Sequence, residues 1–272
     1  AAGEALILSQ RFEGQDVQQL KKGTSSAEKF TVSFYVKGTA KTYALEVLDI
    51  DTTNNRSIAQ TFGVTTSWNR VVLTFDGDTT GALDDDNARS LDLNFFLHAG
   101  ATYTGGTLDT AWGAMTNANR AVGIGSFYSS TDNEFFITGL QMEVGSVATP
   151  FEHRSFGEEL ALCQRYLQKY TGVTAIKTFP RTSTLHSWND NNVSNGMVST
   201  TTTMRAAPTI TESGLRLRSN NHGNFDGTFA FESITVDGAH TAASGASGLN
   251  TGRFYNISST NTSSYIQLDA EL

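Results

Sequence analysis

The feature that most constrains this fold is an alternation of apolar and polar residues with a period of two. In the segment 29–38, every second residue from Phe30 to Val36 is apolar, and these residues alternate with Thr31, Ser33, Tyr35 and Lys37. This pattern is typical of a half-buried strand. Further strands are predicted at 42–51, 57–64, 69–77, 90–100, 120–129 and 133–146. Turn signals separate them at intervals of about 8–12 residues, which favours an all-β sandwich or barrel over βαβ units.

The second half of the chain has the same character with fewer apolar residues. Its predicted strands are 172–179, 195–204, 208–218, 227–237, 253–260 and 263–272. Hydrophobic residues make up 38% of the chain and charged residues 17%, against averages of about 45% and about 25% in globular domains. Threonine, serine and glycine fill the difference. We therefore expect a modest core, which in the second half neighbouring copies would help to complete.

Residues 151–170 interrupt the strand pattern. Ser155 and Glu158 have the spacing of a capping box, in which each side chain satisfies a free N–H at the start of a helix. Leu160, Cys163 and Leu167 follow at helical spacing. We predict one helix over about 156–170 that joins two β-rich halves.

Charge and composition exclude several classes of protein. The net charge is −8 and no window concentrates Lys and Arg, which argues against nucleic-acid binding through a basic patch. No apolar run reaches 18 residues, so we expect no membrane insertion. The single cysteine, Cys163, cannot form an intramolecular disulfide. The chain begins with Ala1, from which we expect that the numbering starts inside a longer or processed product.

Sequence motifs give little support for catalysis. No Gly-x-Ser-x-Gly elbow occurs, and Gly123-Ile124-Gly125 lacks the helix that follows in a dinucleotide site. No repeat of 20–50 residues indicates the β-helix of a depolymerising spike. Paired carboxylates of a glycosidase need not be close in sequence, so a hydrolase stays as a minor alternative. We predict that the protein is not an enzyme.

Two segments carry a specific resemblance. They are ITGLQMEVGSVATPFEHRSFGEELALCQRY (137–166) and MRAAPT (204–209), the latter together with the terminal DAEL (269–272). They resemble a family of virion proteins of tailed bacteriophages that are abundant in marine viruses. In that family a jelly-roll domain similar to a carbohydrate-binding module ends in GLQxEVGxxATPFE, and an ELALCQRY connector leads to a small β domain. The likeness covers most of 12–166 and thins beyond 170.

The resemblance implies both an architecture and a function. The fold would be all-β, with an N-terminal jelly-roll β-sandwich over 1–153, a helical connector over 154–171 and a smaller C-terminal β-sandwich over 172–272. The protein would be a non-enzymatic tail fibre or spike of the extracellular virion that recognises the host surface through a glycan or an outer-membrane receptor. Its N-terminal side would contact other virion proteins. A head-decorating or other purely structural fibre, and a carbohydrate-binding module of a secreted protein, remain alternatives.

Sugar recognition needs exposed aromatic rings with hydrogen-bonding side chains around them. In the first half, Trp112 and Tyr103 lie in a long Gly-rich loop and are the chosen candidates, with packing of Trp112 against the sandwich edge as the alternative. Trp68, Tyr128 and Tyr35 are further candidates for exposed aromatic rings, but Trp68 precedes a strand, which favours packing in the core or at an edge for this ring. In the second half the candidates lie in two Asn-rich loops, with packing of each loop at a subunit interface as the alternative. They are His186, Trp188, Asn189, Asp190, Asn221 and His222.

Acidic residues in the first half raise the question of a metal site. Jelly-roll modules often hold a structural Ca²⁺, and seven aspartates fall close together in sequence: Asp49, Asp51, Asp76, Asp78, Asp84, Asp85 and Asp86. They fit no EF-hand spacing, so a solvated loop is favoured over a calcium site and no cofactor is expected.

Fibres of this kind are usually three-fold, so we expect a homotrimer with Leu160, Cys163 and Leu167 near its axis.

Overall fold

The computed structural model describes residues 1–172, 179–219 and 223–272. The chain divides into two compact units, Ala1–His153 with Leu272 (unit 1) and Arg154–Glu271 (unit 2). Every strand pair in the described ranges is antiparallel. The prediction of an all-β fold with β-sandwich domains and a short helix is confirmed.

Unit 1 is a sandwich of two sheets. Its strands are β1 (Ala5–Glu13), β2 (Phe30–Gly38), β3 (Lys41–Asp49), β4 (Arg56–Val64), β5 (Asn69–Phe75), β6 (Arg89–Ala99), β7 (Gly113–Ala114) and β8 (Phe135–Val144). A five-stranded sheet has the order β1-β6-β3-β4-β7, and a three-stranded sheet has the order β5-β2-β8.

Aromatic and branched side chains from the two facing sheets form the core of unit 1. Phe34 on β2 meets Phe62 and Phe95 of the opposite sheet edge-to-face, with ring centroids 5.1 and 5.2 Å apart. All three rings are buried. The alternation read from the sequence therefore points each inward residue of β2 into this core, and the polar residues of β2 onto the other face.

The segment between β6 and β8 covers the far face of the five-stranded sheet. It holds a short helix, α1 (Ala101–Thr104), and two of the four 3₁₀ turns of unit 1: Gly14–Asp16, Gln18–Leu20, Asn117–Asn119 and Phe127–Ser129. The predicted strand at 120–129 is wrong. Tertiary contacts hold this segment in an irregular conformation. Ala121 is buried against Phe96 and Ala44 of the sheet, and Arg120 donates two hydrogen bonds to the buried Glu46.

Unit 2 contains a seven-stranded sheet, β14-β13-β17-β10-β11-β16-β15, and a three-stranded sheet, β12-β18-β9. Its strands are β9 (Leu167–Thr171), β10 (Leu185–Ser187), β11 (Val193–Ser199), β12 (Thr209–Ser213), β13 (Leu215–Ser219), β14 (Gly223–Phe225), β15 (Thr228–Thr235), β16 (Gly238–Ser244), β17 (Phe254–Ser259) and β18 (Tyr265–Asp269). The predicted strand at 172–179 lies almost wholly outside the described residues.

One cluster of buried side chains forms the core of unit 2. Tyr255 is fully buried at its centre, and the ring of Phe225 packs on it edge-to-face at 5.6 Å. Leu185, Ile257 and Ile266 are also buried in this cluster. Unit 2 thus has a hydrophobic core of its own, to which its short strands contribute one or a few inward residues each.

The predicted helix is shorter than expected. α2 (Phe156–Gln164) begins with the capping box, because Ser155 accepts from the Glu158 N–H and Glu158 accepts from the Ser155 N–H. It ends at Gln164, whereas we predicted about 170, and Leu167–Thr171 forms β9 and pairs with β18. Tertiary contacts override helical spacing here: the buried Gln168 donates to the carbonyls of Gln164 and Thr202 at 3.0 and 2.9 Å.

Candidate functional site

A row of three side chains crosses the solvent face of the three-stranded sheet in unit 1. Lys37 on β2 pairs in register with Phe136 on β8. Trp68 stands directly before β5, whose Asn69 pairs with Val36. Register therefore places Trp68, Lys37 and Phe136 side by side on neighbouring strands, and we call these three residues the aromatic row.

The aromatic row is exposed and has a cation at its centre. Trp68 is 49% exposed and Phe136 43% exposed. The Lys37 ammonium lies 5.3 Å from the centroid of the Trp68 ring and 5.0 Å from that of Phe136. Because the two rings stand on strands that flank β2, they are about 10 Å apart. An oligosaccharide lying across the strands can reach both rings.

Tyr35 and Arg70 form the next row of the same face. They pair in register, and the Arg70 guanidinium carbon lies 5.9 Å from the centroid of the half-exposed Tyr35 ring. Arg70 Nη2 donates to Ser33 Oγ at 3.1 Å and to the Thr149 carbonyl. These hydrogen bonds hold the guanidinium in place beside the aromatic row.

The segment 147–153 covers the rest of this face. Gln141 Oε1 accepts from the Glu152 N–H at 2.8 Å, and Glu143 accepts from the N–H and hydroxyl of Thr149. Gly139 has φ +60°, and a Cβ there would stand 3.2 Å from the Tyr35 ring and 3.7 Å from Phe151. Phe151 therefore packs on the outer face of the sheet, half-buried, and leaves the aromatic row uncovered.

Glu143 is the carboxylate of β8 on this face. Hydrogen bonds from the Thr149 side chain lower the pKa of the Glu143 carboxyl below its usual value. A general acid needs the opposite shift. Glu143 therefore acts here as an acceptor that fixes the covering segment.

The two aromatic candidates chosen for the first half of the chain lie in different places. Trp112 is half-buried against the sandwich core, its Nε1 donates to the Asp76 carbonyl at 2.7 Å, and the Lys22 ammonium lies 5.3 Å from its ring. Tyr103 is half-buried on the far face of the five-stranded sheet beside Phe96. The structure does not bring these two rings together, and it presents Trp68 and Tyr35 instead.

In unit 2 the candidate His186 meets an aromatic residue that the sequence did not indicate. His186 on β10 pairs with Phe254 on β17, and their rings meet at 5.2 Å. Phe254 is 63% exposed and Trp188 59% exposed. Asn189 accepts from the N–H groups of the next two asparagines and shapes the turn, and Asp190 is exposed. Asn221 and His222 lie outside the described residues.

Two of the seven aspartates, Asp49 and Asp78, hold a cation supplied by the protein. Lys22 Nζ contacts the carboxylates of Asp49 and Asp78, the latter at 3.1 Å, and the carbonyls of Thr80 and Gly81 at 2.9 and 2.8 Å. Two carboxylates and two carbonyls are the oxygens that Ca²⁺ takes, but the Lys22 ammonium stands among them, so this cage does not fit a divalent ion.

Burial and hydrogen bonding act in opposite directions on Asp78. Burial raises the pKa of its carboxyl, but hydrogen bonds from Arg56, the Thr80 N–H and Lys22 outweigh burial and leave the pKa below its usual value. Among the described residues, no three His, Cys, Asp or Glu side chains stand close enough to hold a metal ion.

The predicted oligomer contacts are exposed in the single chain. Leu160 is 41% and Leu167 38% exposed, and Cys163 is exposed as well. Leu167 lies on β9, so the three residues do not form one helical face. Phe156 and Leu162 add further exposed apolar surface to α2. Neither described helix is long and apolar enough to span a membrane.

The aromatic row could be found from sequence only in part. Phe135 and Phe136 are adjacent, and only pairing with β2 decides that Phe135 turns inward onto Tyr43 while Phe136 faces solvent. The meeting of His186 with Phe254 depends on two strands far apart in sequence. A local pattern carries no signal for either contact.

Comparison with known proteins gives no relatives. No protein-family model matches the chain, and no curated protein is similar enough in sequence to count as a relative. Two solved structures align over most of it. A Cucumber Necrosis Virus structure shares 8% identity over 89% of this chain and 69% of its own, and discoidin II of Dictyostelium discoideum shares 11% over 97% and 93%. Both alignments have a TM-score of 0.16, so neither assigns a fold or function to this chain.

Proposed function

We propose that this protein is a non-enzymatic binding protein that recognises glycans through the solvent face of the three-stranded sheet in unit 1. The observation that carries the proposal is the aromatic row, with two exposed rings on either side of a lysine. Flat rings pack against the apolar faces of sugar rings, and nearby donors bind the hydroxyl groups. Tyr35 and Arg70 extend the same surface.

The biological setting that we propose is the virion of a tailed bacteriophage, with this chain as part of a tail fibre or spike. The segments 137–166 and 204–209 support it by their resemblance to such proteins. The target would then be a glycan or receptor on the host surface, and the N-terminal side would contact other virion proteins. The exposed turn with His186 and Trp188 on unit 2 is the competing location for the contact with the target.

A glycan array tests the proposal. We expect the full chain to bind a subset of bacterial surface glycans, and Trp68→Ala to weaken that binding about 30-fold. Loss of a central tryptophan at a binding surface typically costs about 2 kcal/mol or more. Phe136→Ala should act in the same direction. Circular dichroism establishes that each variant remains folded.

Two aromatic variants serve as controls. Tyr128 is 61% exposed in unit 1 but lies off the three-stranded sheet, beside His98, so Tyr128→Ala should bind like the unchanged protein. Trp188→Ala should also bind like it. Binding that survives Trp68→Ala but is lost in Trp188→Ala would contradict the proposed site, and no binding to any glycan would contradict the proposed function.

We further propose that copies of this chain cover α2 in a homotrimer. Phe156 is 82% exposed, and Leu160, Leu162 and Cys163 are exposed as well. These residues give one short helix an exposed apolar surface, and a contiguous exposed apolar surface marks a contact with another protein chain. A nine-residue helix is also too short to be stable by itself.

The mass of the purified chain checks the trimer. At micromolar concentration we expect three times 29.3 kDa, and Leu160→Glu should dissociate the trimer because it places a carboxylate in an apolar contact. Val147→Glu, at a residue that is 73% exposed in unit 1, should leave the trimer intact. A monomer of 29.3 kDa at that concentration would refute the proposed assembly.

A further inference from the structure

The two cations of the sheet face differ in their partners: those of Lys37 are neutral, whereas the hydrogen bonds from Thr149 and, less strongly, the charge of Arg70 lower the pKa of the Glu143 carboxyl. Lys37 has aromatic rings on two sides, and Arg70 has a ring, a hydroxyl and a carbonyl. Within the ranges that the structure describes, neither side chain pairs with a carboxylate. In contrast, Lys21 and Lys29 pair with Glu28 and Asp76.

The protein has 27 acidic and 19 basic residues, so a cation has many carboxylates available. Glu143 is the acidic residue of β8 on this face, and Thr149 already donates to both of its oxygens. Lys37 therefore keeps a positive charge whose partners are two aromatic rings, whereas the charge of Arg70 is partly balanced by Glu143.

The surroundings of Lys37 favour a charged partner over a hydroxyl group. Aromatic faces attract an ammonium through their quadrupole but do not neutralise it. They also displace water from the sides of the lysine stem, which strengthens an electrostatic contact made at its end. A charge-assisted hydrogen bond to an anion is about twice as strong as one between neutral groups.

We propose that the glycan bound at the aromatic row is acidic, and that Lys37 pairs with its carboxylate or sulfate group while Trp68 and Phe136 pack against the sugar rings. The inference rests on the proposed function and names the chemical class of its ligand. Lysine acts as a point charge and suits either anion, whereas Arg70, fixed by Ser33 and Thr149, adds directed donors beside it.

The experiment uses an array of oligosaccharides on glucose, galactose and mannose backbones, each in neutral, uronic-acid and sulfated form. We expect the full chain to bind acidic members at least tenfold more tightly than their neutral counterparts, with binding that weakens as salt rises. Lys37→Met keeps the apolar stem and should abolish the tenfold preference. Lys37→Arg should retain most of it. Lys29→Met removes the same charge next to the other end of β2 and should leave the preference for acidic oligosaccharides unchanged.

The outcomes separate the inference from the function on which it rests. A uronic-acid preference and a sulfate preference both support it and identify the anion. Binding of neutral members with equal affinity, unchanged in Lys37→Met but lost in Trp68→Ala, would overturn the acidic ligand and leave the glycan site standing. Absence of binding to every member would overturn both.

Discussion

Lys22→Met should lower the free energy of unfolding of unit 1 by about 3–5 kcal/mol, the usual effect of removing one partner of a buried ion pair. The Lys22 side chain is 3% exposed, and those of Asp49 and Asp78 are 0% and 4% exposed. Methionine retains most of the volume but removes the ammonium that both carboxylates contact. Arg56 would still pair with Asp78 and would act on Asp49 only through its charge. The buried Asp49 carboxylate would keep hydrogen bonds from Thr52 and the Asp51 N–H but would lose its ion pair.

Hydrogen exchange followed by mass spectrometry measures this effect in one unit at a time. Peptides from β3 and β6 should lose protection, and peptides from β13 and β17 in unit 2 should not. Lys21→Met is the matched control, because Lys21 pairs with Glu28 at the surface with side chains 54% and 40% exposed. Its effect should be at most about 1 kcal/mol. Equal effects of the two substitutions would refute a buried cation at Lys22.

Arg120→Met should have an effect of similar size, about 3–5 kcal/mol. Arg120 donates to both oxygens of Glu46 at 2.6 and 2.7 Å, and the Glu46 side chain is 0% exposed. Asn94 donates a third hydrogen bond at 3.0 Å. The guanidinium also lies over the rings of Phe96 and Tyr103, at 5.2 and 5.8 Å. Arg120 thereby fixes the segment between β6 and β8 on the five-stranded sheet.

A double variant distinguishes the ion pair from simple loss of packing. Glu46→Gln together with Arg120→Met removes both charges, so it should be less destabilised than Arg120→Met alone. Urea denaturation of Arg120→Met, Glu46→Gln, the double variant and the unchanged chain provides the comparison. If the changes in the free energy of unfolding of the two single variants add up to that of the double variant, the stabilisation comes from packing of the Arg120 stem. The buried ion pair then contributes nothing measurable.

The strands that could be predicted from sequence are those with one clear apolar face. β2, β3, β4, β5, β6 and β8 all lie within a few residues of the predicted bounds. In unit 2 the pattern identified β11, β12, β15, β17 and β18 but merged β13 with β12, because the break is a single glycine, Gly214, at φ +68°. β10, β14 and β16 carry too few apolar residues to show a period.

The errors have a common physical origin. At 120–129 and at 165–171 the local pattern was overridden by contacts with residues far away in sequence, Glu46 in the first case and the strand β18 in the second. The same reason applies to the candidate site. Trp112 faces the core and Trp68 faces solvent, although both stand in turns beside strands. Which ring is exposed depends on the register of the sheets, which no local pattern contains.

The central claim is that sugars bind across the aromatic row, and a structure of the full chain with its best-binding array oligosaccharide tests it most directly. We predict sugar rings against Trp68 and Phe136, with an anionic group at the Lys37 ammonium. A ligand seated instead at the turn with His186 and Trp188, or on the far face of the five-stranded sheet, would contradict the claim.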